Sequence, residues 1–73
     1  MNTGILIIAH APLASALRAS VLHVFPEVAG QILALDVPPQ EATDLTATHA
    51  RALLSQLGTP DSLVLTDVFG ATP

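Results

Sequence analysis

Apolar positions along this chain fall into three short continuous runs separated by two stretches with helical spacing. The first run is Gly4-Ile5-Leu6-Ile7-Ile8-Ala9, rich in β-branched residues. A run of that length without polar alternation predicts a strand buried on both faces, as in a parallel sheet. Pro12 then suits the first turn of a helix. Leu13, Leu17, Val21, Val24 and Phe25 recur at helical spacing, which predicts an amphipathic helix over 12–25 that Pro26 ends. Gln31-Ile32-Leu33-Ala34-Leu35-Asp36-Val37 reads as a second strand, closed by Pro38-Pro39. A second helix is expected from Glu41 to Leu57, with Ala42, Leu45, Leu53 and Leu57 on its inner face. Glu41 and Asp44 would lie in its first turn, where negative charge suits the helix dipole. Gly58 supplies a C-terminal stop and Pro60 blocks continuation. Ser62-Leu63-Val64-Leu65-Thr66 is the third strand.

The order β-α-β-α-β predicts an α/β fold with a parallel sheet and helices as crossovers. Right-handed crossovers leave strand orders 1-2-3 or 2-1-3. In 2-1-3 the two helices cover opposite faces, giving three α/β/α layers. Strands 1 and 3 become neighbours, and a crevice opens at their C-terminal ends. Open α/β sheets bind ligands at such a switch point. The residues to inspect are therefore those just after Ala9 and Thr66, namely His10 and Asp67.

A carboxylate beside an imidazole accepts from one ring N–H, fixes the tautomer and leaves the other nitrogen as a nucleophile or base. The helix expected after Pro12 would turn its free N–H groups toward this imidazole. Thr72-Pro73 reads as an N-cap followed by Pro at N1, the opening of another helix, and Gly70 permits close backbone approach. Helix N-termini favour anions, phosphate above all. The constellation suggests a histidine that carries a phosphoryl group. The plainer alternatives are a solvated strand-end histidine and an aspartate that only caps the following loop. His23 falls at the edge of the first helix's apolar face. His49 lies near the centre of the second helix's stripe, where a partly buried packing role is expected. Arg18 and Arg51 read as solvated helix residues. The three histidines sit on three separate elements, so no metal site and no cofactor are expected.

Composition narrows the classes further. The chain has 73 residues, 51% hydrophobic and 11% charged, with no cysteine, which excludes both a disulfide-stapled scaffold and a disordered tail. Only two residues are Lys or Arg and the net charge is -4, which argues against a nucleic-acid partner. No apolar stretch approaches the roughly 20 residues of a membrane span, and no Lys or Arg precedes Arg18 to make a signal peptide. A cytoplasmic location is the expectation, with no direct membrane insertion.

The segments Ile5-Leu6-Ile7-Ile8-Ala9-His10 and Val64-Leu65-Thr66-Asp67-Val68-Phe69-Gly70-Ala71-Thr72-Pro73 resemble the IIA domain of the mannose–fructose–sorbose family of the bacterial phosphotransferase system. The resemblance implies a phosphotransferase in which His10 accepts a phosphoryl group from phospho-HPr. It passes the group to a IIB component or uses it for regulation. The resemblance further implies that Asp67 orients the ring and that Ala11, Gly70, Ala71 and Thr72 surround the phosphoryl group. Phe69 fills the family's aromatic position, whereas Ala71 stands for a second glycine and Thr72 for a serine. Ala9-His10-Ala11 replaces the frequent Thr-His-Gly, as in stand-alone proteobacterial IIA proteins. Residues 1–73 cover the N-terminal half of such a domain. The complete domain is expected to continue to a fourth strand, to dimerise, and to sit peripherally at a membrane permease where one exists.

The phosphotransfer subunit of dihydroxyacetone kinase shares this fold and histidine and stays open as an alternative. A receiver domain is a more distant one, because its Mg²⁺ needs an acidic pair where this chain has Ala9-His10. A flavodoxin-like FMN binder is disfavoured by Ala11-Pro12-Leu13 and by the 3% aromatic content. The third strand is expected to leave an open apolar edge, of the kind that recruits other strands.

Overall fold

The computed structural model describes residues 3–40 and 42–67. The elements are β1 (Thr3–His10), α1 (Leu13–Val24), a 3₁₀ turn (Pro26–Gln31), β2 (Ile32–Val37), α2 (Thr43–Leu57) and β3 (Asp61–Thr66). The three strands form one parallel sheet in the order β2-β1-β3. Ile5 pairs with Ile32 on one side and Leu63 on the other, and Ala9 lies opposite Asp36. The fold is thus the α/β arrangement expected from the apolar pattern, with β1 in the centre.

Position in the sheet decides burial. Central β1 is buried or half-buried along its whole length. Ile7, Ala9, Ala14 and Ile32 form a core under α1, joined by Ile5, Val21, Leu22, Val28 and Ala34. The opposite parity of β1 meets α2. There a Cβ built on Gly4 would lie 2.6 Å from Thr59 Oγ1 and 3.0 Å from Leu57 Cδ1, so only glycine lets the α2–β3 connection pass this close. Gly58 ends α2 in the left-handed region at φ 61°, where glycine carries no Cβ penalty. All six residues of β3 are exposed, and among the described residues it pairs with β1 alone.

Both helices are rotated from the faces that hydrophobicity predicts. α1 turns Ala14, Arg18, Val21 and Leu22 inward, while Leu13, Leu17, Val24 and Phe25 are exposed. At 100° per residue this is a rotation of roughly 70°. The small Ala14 lets the backbone approach the sheet. Arg18 finds acceptors there, its Nε donating to Ile32 O at 2.7 Å and its Nη2 to Ala29 O at 3.0 Å. Arg18 is therefore not a solvated residue. It closes the 3₁₀ turn, which the apolar pattern does not announce. In α2 the inward residues are Thr46, Ala47, Ala50, Leu53, Leu54 and Leu57, a shift of roughly 70°. Leu45 is exposed, and so is His49, which is not a packing residue. His23 is exposed at the edge of α1, as its spacing implies. Pro12 is the N-cap of α1 and not its first helical residue, and its peptide bond with Ala11 is cis. Glu41 lies outside the described residues.

Candidate functional site

His10 is the last residue of β1 and Asp67 follows the last residue of β3. The parallel pairing of these neighbours ends at Ile8 and Thr66. Beyond it, the Asp67 side chain takes over. Its Oδ2 accepts the backbone N–H of His10 at 3.0 Å and lies 2.8 Å from His10 Nδ1. The sequence separates the pair by 57 positions, and the 2-1-3 topology alone brings them together.

The chemistry follows from the acceptor. An ionised carboxylate only accepts, so Nδ1 must carry the proton and donate it. The ring is then held as the Nδ1–H tautomer, with the lone pair on Nε2. Gripping the backbone N–H with the same oxygen fixes both the ring and its Cα. The His10 side chain is 38% exposed and that of Asp67 12%, so the ring is accessible while the carboxylate is screened. The backbone N–H of His10, and next its ring, hold the Asp67 carboxyl below its ordinary pKa against the opposing effect of desolvation. Asp67 Oδ1 is buried and has no hydrogen-bond partner among the described residues.

The surroundings differ from expectation in two respects. Ala11 was expected at the phosphoryl group, but its N–H donates to Val37 O at 3.0 Å and is not a free donor. The N-terminus of α1 was expected to face an anion on His10, but it already holds one. Asp36, near the end of β2, accepts the Ser15 N–H through Oδ1 at 3.0 Å and the Ser15 hydroxyl through Oδ2 at 2.5 Å. These two bonds, the hydroxyl's first, hold the Asp36 carboxyl below its ordinary pKa. The pair is invisible to periodicity because its members lie 21 positions apart on different elements. The signal that could have found it is a lone acid on an otherwise apolar strand, two residues before its closing prolines. Gly70, Ala71 and Thr72 lie outside the described residues.

Among the described residues no three His, Cys, Asp or Glu side chains converge as metal ligands, and no helix is long and apolar enough to cross a membrane.

A carboxylate-oriented, accessible imidazole at the switch point of a parallel sheet is an arrangement suited to a histidine nucleophile. Residues 4–73 match the EIIA-man family, described as the PTS system fructose IIA component, and the chain belongs to that family. It is thus a IIA component of the sugar phosphotransferase system, in agreement with the resemblance carried by its strand ends. No curated protein and no solved structure shows a significant match to the chain.

Proposed function

We propose that this protein accepts a phosphoryl group on Nε2 of His10 from phospho-HPr. It then passes the group to a IIB component or holds it as a regulatory signal. The observation that carries the reading is the Asp67 Oδ2 contact on His10 Nδ1, which leaves Nε2 as the free nitrogen of an accessible ring. In the transfer, the Nε2 lone pair forms the new N–P bond as the donor's N–P bond breaks. The electron pair of the broken bond stays on the donor nitrogen. Positive charge thereby moves from the donor ring to the His10 ring, where the Asp67 carboxylate stabilises it. No proton needs to leave either ring, so the site's task is positioning and charge stabilisation.

Membership of the IIA family supports the donor and acceptor classes. Incubation with phosphoenolpyruvate, enzyme I and HPr is expected to give one acid-labile, base-stable phosphate per chain. That phosphate should be absent from His10→Ala. Label retained by His10→Ala would refute the assignment.

A further inference from the structure

The device at the N-terminus of α1 has no part in the assignment above. α1 opens on Pro12, whose side chain caps nothing, and its first turn contains no acidic residue. Left to itself, such a helix presents unsatisfied N–H groups and a partial positive charge. Only Ala11 and Pro12 separate it from His10 along the chain, and a helix N-terminus attracts phosphate. The site is filled from another element. Asp36 reaches across from β2, where it pairs with Ala9, and binds both the N–H and the hydroxyl of Ser15. The Ser15 hydroxyl also lies 3.3 Å from Pro12 O, which closes the turn. One position on, Val37 O receives the Ala11 N–H. The two last residues of β2 thus tie down both ends of the segment that leads from His10 into α1.

We infer that Asp36 is a positioning residue of the phosphoryl site. It caps α1 in trans and occupies the helix's anion position, so that the phosphoryl group on His10 is not anchored there and remains transferable. This rests on His10 being the acceptor. A carrier must bind its cargo no more tightly than the next acceptor does, and a vacant helix N-terminus two residues on from His10 would hold the phosphorylated form back.

The test is the equilibrium of phosphoryl exchange between HPr and the protein, for wild type and Asp36→Asn. Asparagine keeps an acceptor for the Ser15 N–H but removes the charge. The inference expects the equilibrium to move toward the phosphorylated IIA protein by about two- to fivefold, the weight of one charge at a helix terminus. A purely structural role would lower the melting temperature without favouring the phosphorylated form. An unchanged or lowered exchange constant would overturn the inference. The second measurement needs no variant: on phosphorylation of the wild type, the Ser15 amide should keep its chemical shift and its bond to Asp36. An Ser15 amide displaced toward the phosphate would overturn the inference equally. Failure of wild type to take up phosphate on His10 would instead refute the function proposed above.

Discussion

The sheet has a packed half and an open half. β1 and β2 lie under α1 and over α2, and their apolar side chains are buried or half-buried. β3 hydrogen-bonds to β1 along its length, yet all of its residues are exposed. The difference shows that backbone pairing and core burial are separate contributions. β3 is placed by its ladder and by the tight passage over Gly4, whereas β1 is placed by packing as well. The proposed site straddles the divide. His10 stands on the best-packed strand and Asp67 follows the least-covered one, so the Asp67 carboxylate, which holds the His10 ring and backbone, is also a clasp between the halves.

The comparison breaks most readily in the packed half. Leu6 is fully buried at the centre of the sheet, and Leu6→Ala should cost about 2–5 kcal/mol in urea unfolding, through lost burial and a cavity. Next in size is the clasp. Asp67→Asn should slow phosphoryl uptake from HPr by about 10- to 100-fold, the scale on which metal-ligating histidines suffer when their carboxylate partner is lost. The fold should be kept, as circular dichroism would report. At the passage between halves, Gly4→Ala should cost about 1–3 kcal/mol by overpacking. Thr59 Oγ1, the atom in the way, is held by its bond to Asp61 O at 2.8 Å and cannot turn aside freely.

A smaller effect is expected from pH. Asp36 and Asp67 both have pKa values lowered by the bonds they accept. A depressed carboxyl stabilises the fold above its unfolded value, about 3.9, and loses that contribution as pH falls through the folded value. The melting temperature should therefore begin to drop as pH approaches 4 and continue below it. Asp36→Asn and Asp67→Asn should each flatten that acid limb. Least of all, Leu63→Ala on the open strand, at 51% exposure, should change stability by less than about 1 kcal/mol. A cost near that of Leu6→Ala would show that β3 is covered in solution.

Much of this was legible in the amino-acid pattern. The continuous run at Ile5–Ile8 marks a central strand, and parallel topology places His10 beside Asp67 without any local motif linking them. The helix faces were less legible. Hydrophobicity ranks Leu13 and Leu17 above Ala14, but here the small Ala14 sits against the sheet with Val21 and Leu22, and Leu13 and Leu17 are left exposed. An arginine with carbonyl partners, as Arg18 has, goes inward against its composition. The same logic moves Leu45 out and Thr46 in on α2, and it carries His49 to the surface. The short turn Pro26–Gln31 has too few residues to show a period. The Asp36–Ser15 pair depends on where β2 ends relative to α1, which only tertiary structure sets.

The most direct test of the account is the state of the His10 ring. Long-range ¹H–¹⁵N spectra of the wild-type protein, before and after incubation with phospho-HPr, report the proton and the phosphorus on each nitrogen. The account predicts a proton on Nδ1 in the free protein and, after transfer, phosphorus on Nε2 with the Nδ1 proton retained against Asp67. A free ring protonated on Nε2 alone, or phosphorus found on Nδ1, would contradict it.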